Sequence, residues 1–324
     1  MSVCVEVEMP PVKFHRCNGI DMAVYEAGTG PAVVLLHGWP ELAYSWRYQI
    51  EPLVKAGYRV IAPDLRGYGQ TSQPEDVGAY TMKHLMGDVI ALLDTLEIAQ
   101  AYVCGHDWGG LITWQLALFY PERLMGVMSL NTPFIPRSKF DPIDVYRHNF
   151  GKDMYIVAMQ EEGPVDRLLN NETDRFFRTL MRCRSVNSAK GNTEATPASN
   201  MALFKEFKEN RDAAPRGQLL LSESDLEVYV STYQKSGFTG GLNWYRNFST
   251  NWRETEGMEQ VITVPTLMIC GADDLYLPPA LSEHMHHFVP DLERHVLNNC
   301  GHWSQQEQPA AVSNLLIDWL ARQQ

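Results

Sequence analysis

The segment Gly105-His106-Asp107-Trp108-Gly109 places a carboxylate at the centre of a turn framed by glycines. Such a G-x-nucleophile-x-G turn joins a strand to a helix in strained backbone, where flanking glycines leave out Cβ atoms that would not fit. A serine at the centre makes an acyl ester, whereas an aspartate that attacks a saturated carbon makes an alkyl ester that water can cleave. The pattern predicts hydrolysis at an sp³ carbon bearing a leaving group. The alternative is a turn aspartate that caps the next helix.

A general base and a supporting acid are expected in the loops after two later apolar runs. Of the ten histidines, only His302 follows the predicted strand 293–297, where an imidazole can serve as base near neutral pH. Asp274 follows the predicted strand 266–270 and can fix the tautomer of that imidazole, with Asp273 as the competing choice. Either aspartate could instead cap the next helix. The order nucleophile, acid, histidine is that of hydrolases with this turn.

The segment His37-Gly38-Trp39-Pro40 follows the predicted strand 32–36. The loop at this place commonly supplies one N–H group of an oxyanion hole, and the residue after the nucleophile supplies the other. The backbone N–H groups of Trp39 and Trp108 are therefore the predicted oxyanion donors. Trp39-Pro40 is also a candidate for a cis peptide bond, although an ordinary turn at the end of a strand is the plain alternative.

Apolar runs that alternate with helical spacing position these motifs. Continuous apolar strands separated by helices are typical of a mostly parallel sheet covered on both faces, so the fold class predicted is α/β. The predicted strands are 12–17, 20–25, 32–36, 58–62, 101–104, 125–130, 266–270 and 293–297, and the predicted helices around them are 81–96, 110–117, 279–288 and 309–321.

This alternation stops between about Pro133 and Asn251, where helical segments are predicted at 142–160, 173–183, 198–210 and 223–235. We interpret that region as an inserted all-helical cap. The predicted organisation is a core domain in two parts, residues 1–132 and 252–324, with the cap at 133–251 between them.

Composition excludes several classes of function. The net charge is -12 and no Lys/Arg run occurs, which argues against nucleic acid or an anionic membrane as a partner. Six scattered cysteines without a C-x-x-C pair, and an N-terminus unlike a signal peptide, predict free thiols and a cytoplasmic location. Ligand spacings typical of metal sites and glycine loops typical of nucleotide sites are missing, so neither a metal nor a cofactor is expected.

With these motifs the chain resembles the α/β-hydrolase superfamily and, within it, the soluble epoxide hydrolases. Residues 37–40 match the H-G-x-P motif of that family, and residues 105–110 match its elbow. Segments 155–163 and 241–247 match the two parts of the cap that each carry a tyrosine. The resemblance implies that Tyr155 and Tyr245 hold and protonate the epoxide oxygen. The alternative for either tyrosine is a packing role in the cap.

The resemblance implies a hydrolase that opens a small apolar epoxide to a vicinal diol through an ester on Asp107, which water activated by His302 then cleaves. Two alternatives stay open: a haloalkane dehalogenase with the same aspartate, and a ligand-binding protein on this scaffold without catalysis. A homodimer is one candidate for the oligomeric state. The residues expected to line the pocket are His37, Pro40, His106, Phe134, Ile135, Met159 and Trp303.

Overall fold

An eight-stranded sheet lies at the centre of the protein, in a computed structural model that describes residues 7–183 and 201–323. The strand order is β1-β2-β4-β3-β5-β6-β9-β10. Strand β2 pairs antiparallel with β1 and with β4, and every other neighbouring pair is parallel. The strands of this sheet are β1 (Val12–Cys17), β2 (Ile20–Ala27), β3 (Ala32–Leu36), β4 (Arg59–Pro63), β5 (Ala101–His106), β6 (Leu124–Leu130), β9 (Thr266–Gly271) and β10 (Leu292–Leu297).

Helices cover both faces of this sheet and form most of the segment between β6 and β9. The α-helices of the described ranges are α1 (Arg47–Lys55), α2 (Met82–Thr95), α3 (Trp108–Phe119), α4 (Pro142–Phe150), α5 (Tyr155–Ala158), α6 (Pro164–Asn171), α7 (Thr173–Leu180), α8 (Leu203–Glu209), α9 (Glu223–Ser236), α10 (Thr239–Arg246), α11 (Phe248–Glu254), α12 (Ser304–Glu307) and α13 (Pro309–Ala321). The sheet and its flanking helices match the predicted fold class.

The middle strands are apolar throughout because both of their faces are buried. Every residue of β3 is buried, and successive side chains enter opposite layers of the core. Val34 and Leu36 pack in the layer that includes α2 and the insertion, whereas Val33 and Leu35 pack in the layer of α1 and α13. Burying one such side chain stabilises the fold by roughly 1.5–3 kcal/mol.

The parallel strands fix where the motifs meet. Their carboxyl ends lie along one edge of the sheet, and the loops after β3, β5, β9 and β10 all leave from that edge. These loops carry Trp39, Asp107, Asp274 and His302. In a sheet of this kind, ligands bind outside the carboxyl ends of the strands.

The predicted helix 279–288 is instead a pair of 3-10 turns, Pro279–Ser282 and Met285–His287. Ser282 and Met285 are buried and Phe288 is half-buried, so the inward positions recur every third residue. That period matches a 3-10 helix, which has three residues per turn, and not an α-helix.

The insertion between β6 and β9 departs from the prediction in two places. The predicted helix 142–160 is divided into α4 and α5, because Gly151 adopts a φ of 80° and ends the first helix. The expectation of a purely helical cap needs correcting as well, since β7 (Arg182–Cys183) and β8 (Gln218–Leu219) pair antiparallel. Two residues are too few to show the alternation that reveals a strand.

The domain limits at 133 and 251 stay a prediction, and helix α11 runs across the second of them. The predicted helix 198–210 corresponds to α8, while its residues 198–200 lie outside the described part of the chain. The five described cysteines are free thiols, as expected, and Cys4 lies outside the described residues. Among the helices of residues 7–183 and 201–323, none has the length and apolar character needed to cross a bilayer.

Candidate active site

Asp107 occupies the turn between β5 and α3 with φ 52° and ψ −117°, in the left-handed region that non-glycine residues rarely adopt. The flanking glycines make this turn fit. A Cβ on Gly105 would lie 2.1 Å from the carbonyl oxygen of Gly109, and one on Gly109 would lie 2.0 Å from that of Leu36. Backbone strain of this kind costs about 1–3 kcal/mol and is common at catalytic residues.

The carboxylate of Asp107 accepts hydrogen bonds from the two predicted oxyanion donors. The backbone N–H of Trp39 donates to Oδ1 over 2.8 Å, and the backbone N–H of Trp108 also donates to this carboxylate. Thr132 fixes the turn from behind, because its hydroxyl donates to the carbonyl oxygen of Asp107 over 2.8 Å. Burial raises the pKa of Asp107 and outweighs the opposing effects of His302, His106 and the two N–H groups. The Trp39-Pro40 bond is cis.

His302 lies between two carboxylates. Its Nδ1 donates to Oδ2 of Asp274 over 2.9 Å, and its Nε2 faces Oδ2 of Asp107 at 3.7 Å. Burial alone would lower the pKa of His302, but Asp274 and, beyond it, Asp107 and Glu41 raise it to about 9. The imidazole is thus oriented with one nitrogen toward the predicted nucleophile.

Asp274, rather than the competing Asp273, bonds to His302. Three further hydrogen bonds hold the Asp274 carboxylate. The side-chain amide of Asn131 donates to Oδ2 over 2.8 Å, and the backbone N–H groups of Tyr276 and Leu277 donate to Oδ1 over 2.8 and 3.0 Å. Burial acts to raise the pKa of Asp274, but His302 and these hydrogen bonds lower it overall. The group therefore stays ionised beside the imidazole.

The two cap tyrosines come from separate helices and meet above Asp107. Tyr155 opens α5 and Tyr245 lies on α10, with ring centroids 6.1 Å apart. Burial first, and then the charge of Asp107, raise the pKa of both phenols well above their ordinary value. Both hydroxyls are therefore neutral proton donors. The side chain of Trp108 hydrogen-bonds to Tyr245.

Asp107, His302 and both tyrosines line one cavity of about 500 Å³. A cavity of that size is in the range for small-molecule sites, and its walls here are mostly apolar. Of the expected lining, Phe134, Ile135 and Trp303 face the cavity together with Trp39 and Trp108, and Ile135 is 59% exposed at its rim. Further lining residues that the sequence did not point to include Leu111, Met154, Tyr276 and Leu277.

Four residues expected in the lining lie behind it instead: His37, Pro40, His106 and Met159. His37 points into the core, where its Nε2 accepts the N–H of Leu65 over 3.0 Å. Met159 is fully buried, and its carbonyl oxygen accepts from Arg246. Position within a motif did not reveal these orientations, because neighbouring residues in a turn or helix face different ways.

Glu41 is a site residue that sequence reasoning missed. It is fully buried, and its Oε2 accepts from Nδ1 of His106 over 2.6 Å and from the N–H of Gly38 over 3.0 Å. The other ring nitrogen of His106 donates to the carbonyl oxygen of His302 over 2.7 Å. Burial opposes ionisation, yet the His106 imidazole and the bonds around it lower the pKa of Glu41 to about 2. The available signal was a carboxylate directly after the H-G-x-P motif.

A metal site was not expected, and that expectation stays a prediction. In the part of the chain that the structure describes, no three or more His, Cys, Asp or Glu side chains are arranged to hold an ion.

Comparisons with known proteins agree with this geometry. Residues 31–309 match the family described as "alpha/beta hydrolase fold". The chain is 38% identical over 318 residues to epoxide hydrolase A of Mycobacterium tuberculosis. The aligned region covers 96% of this chain and 97% of that protein. The chain belongs to the epoxide hydrolase family. The predicted resemblance and the α/β-hydrolase fold class are thereby confirmed.

Other members of the epoxide hydrolase family show the same match. Bifunctional epoxide hydrolase 2 of Sus scrofa is 40% identical over 304 residues, which are 93% of this chain and 53% of that protein, so the chain spans about half the length of this relative. The solved structure of epoxide hydrolase A from Mycobacterium thermoresistibile superposes with a TM-score of 0.84 at 37% identity, covering 96% of this chain and 98% of that one. An epoxide hydrolase from Vigna radiata gives a TM-score of 0.86 at 35% identity, with 98% and 99% covered.

Proposed function

We propose that this protein hydrolyses an epoxide to a vicinal diol through a covalent ester on Asp107. The observation that carries the proposal is the convergence of one carboxylate, one imidazole and two phenols on a single apolar cavity. Each group has the chemistry that one step of the reaction needs.

In the first half-reaction a carboxylate oxygen of Asp107 attacks a ring carbon, and the bond between that carbon and the ring oxygen breaks. Oδ1 is held by the N–H of Trp39, which leaves Oδ2 as the attacking atom. Tyr155 and Tyr245 bind the ring oxygen, and one of them protonates the alkoxide as it forms. Because the charge of Asp107 is one cause of the high phenol pKa, esterification lowers that pKa when a proton is required.

In the second half-reaction His302 removes a proton from water, which attacks the carbonyl carbon of the ester. The pKa of about 9 in the resting site depends partly on the charge of Asp107, and esterification removes this charge. The imidazole pKa then falls, so a neutral base is available at the step that uses it. The N–H groups of Trp39 and Trp108, which already donate to this carboxylate, stabilise the oxyanion. The acyl–oxygen bond breaks, and the departing alkoxide takes the proton that His302 removed from the water. The second proton of that water, left on the new carboxyl group of Asp107, returns to the tyrosinate formed in the first half-reaction, and the diol leaves.

The tyrosine pair favours an epoxide over a haloalkane, because a halide needs no proton to leave whereas an alkoxide does. The side chain of Trp108, a candidate halide donor, is engaged by Tyr245. Binding without turnover is disfavoured because a complete set of nucleophile, base and acid is present, with the imidazole 3.7 Å from the nucleophile and 2.9 Å from the acid. A cytoplasmic location, a homodimer and independence from cofactors remain predictions.

A single turnover in ¹⁸O-water tests the covalent route. With enzyme in excess over styrene oxide, we expect an unlabelled first diol and one ¹⁸O atom in the peptide that contains Asp107, measured by mass spectrometry. Asp107→Ala should give neither diol nor label. Label that enters the first diol directly would refute the ester, and chloride release from a chloroalkane without diol formation would favour a dehalogenase.

A further inference from the structure

One carboxylate that the reaction itself does not use accepts hydrogen bonds from the backbone N–H groups of the two residues that flank His302 in the sequence. Oε2 of Glu307 accepts the N–H of Gly301 over 2.8 Å, and Oε1 accepts the N–H of Trp303 over 3.0 Å. We propose that Glu307 is a positioning residue for His302, acting through the backbone on either side of the histidine.

The local structure suits a carboxylate at this position and no other polar side chain. A carboxylate offers two oxygens that only accept, so it can satisfy two N–H groups at once, whereas an amide places a donor against one of them. A backbone hydrogen bond also connects these two residues, since the N–H of Glu307 donates to the carbonyl oxygen of Trp303 over 2.8 Å. A Cβ on Gly301 would lie 2.9 Å from Oε1, so the carboxylate fills the space that this glycine leaves.

Glu307 is also electrostatically coupled to the imidazole and to the cap. Burial raises the pKa of Glu307, while the two N–H groups and His302 act to lower it. Cys183, at the end of β7, lies beside the same carboxylate: burial and the charge of Glu307 raise its pKa to about 11. The segment between β6 and β9 therefore contacts this carboxylate through Cys183.

The inference rests on the proposed role of His302 as base, and it predicts unequal effects on the two half-reactions. Ester formation uses Asp107 and the tyrosines, whereas ester hydrolysis needs His302 placed to within a fraction of an ångström. A displacement of about 1 Å can cost on the order of 100-fold in rate. Loss of Glu307 should therefore slow hydrolysis and leave ester formation nearly unchanged.

Glu307→Gln is the first test, because it keeps the size and removes one acceptor and the charge. We expect ester hydrolysis to slow by about 10–100-fold, with ester formation within about threefold of wild type, both followed by rapid quench and intact-protein mass. The ester should accumulate with styrene oxide. The pH at which hydrolysis falls off on the acid side should move down, because loss of a nearby carboxylate lowers the imidazole pKa.

Glu307→Asp retains the charge and serves as the conservative variant, recovering the wild-type pH dependence and part of the rate. Asp64→Asn is the matched control: Asp64 is also buried and accepts two backbone N–H groups, from Ala43 and Gln70, but is not bonded to the His302 loop. It should lower the melting temperature without changing the ratio of the two half-reaction rates.

The inference would be overturned if folded Glu307→Gln hydrolysed the ester at the wild-type rate. It would also be overturned if both half-reactions slowed equally, as they would after a general loss of stability. If Glu307→Gln does not fold, the same comparison is decided by Glu307→Asp, whose hydrolysis should be slower than wild type while its ester formation is not. A wild-type protein that forms neither ester nor diol would instead remove the proposed function, and this inference with it.

Discussion

At the scale of single residues, the proposed mechanism depends on a charge that changes during the reaction. Asp107 raises the pKa of His302 and of both cap phenols while it is ionised, and in the proposed mechanism all three effects end when it is esterified. Ester formation would thus favour both proton donation by a phenol and proton removal by the imidazole.

Both phenols are expected to bind the ring oxygen of the epoxide. We expect Tyr155→Phe and Tyr245→Phe each to slow ester formation by about 10–100-fold, and the double variant to abolish it within detection, since general acid catalysis contributes about 10²–10⁴-fold. The matched control is Tyr229→Phe, a buried cap tyrosine whose hydroxyl lies 2.7 Å from that of Ser45. It should lose stability and keep its rate of ester formation. Equal rates in all four proteins would contradict the assignment.

Residues with a motif around them could be predicted, and isolated ones could not. The convergence of Asp107, Asp274 and His302 could be predicted because each of them follows a strand at a fixed place. Glu307 has no such marker, and the only marker of Glu41 is its place directly after residues 37–40. Glu41 bonds to the ring of His106, which is distant in the sequence, and Glu307 bonds to the N–H groups of Gly301 and Trp303 across a turn, so the folded chain is needed to reveal both contacts.

At the scale of elements, the approach of α3 to β3 leaves no space for a side chain at Gly109. Gly109→Ala would put a Cβ 2.0 Å from the carbonyl oxygen of Leu36, so the elbow must shift or the fold must open. We expect loss of folding or a destabilisation of more than about 3 kcal/mol, measured by thermal unfolding. Gly78→Ala is the control, because its Cβ would meet only the Asp76 side chain, at 3.3 Å or more. Similar melting temperatures for the two variants would contradict this packing argument.

Helices and strands could be predicted where burial imposes a regular pattern of apolar residues on the sequence. The five central strands, β3, β4, β5, β6 and β9, were recovered because continuous apolar runs mark strands covered on both faces. The failures were the break in the predicted helix 142–160 at Gly151, the two 3-10 turns after β9 and the strand pair in the cap, and each concerns a segment of only a few residues. Local sequence specifies such short pieces weakly, and contacts with the rest of the molecule decide them.

At the scale of the whole molecule, stability should depend on pH through His302. Its folded pKa of about 9 lies above the ordinary imidazole value, so its contribution is fully present below about pH 6.5 and is lost as the pH rises through 9. The difference in pKa corresponds to roughly 3–4 kcal/mol of stability. We expect urea denaturation to show wild type losing more stability than His302→Asn between pH 6.5 and pH 9.5. Parallel losses in the two proteins would contradict the raised pKa.

The core and the insertion contribute different halves of the site. The loops of the sheet supply Asp107, Asp274 and His302, while Tyr155 and Tyr245 belong to helices between β6 and β9. The residues proposed to form and cleave the ester therefore lie on two segments of the gene that flank the insertion, and the phenols proposed to bind the departing oxygen lie on the segment between them. Mutations confined to that middle segment could change which molecules are accepted while the proposed nucleophile and base stay as they are.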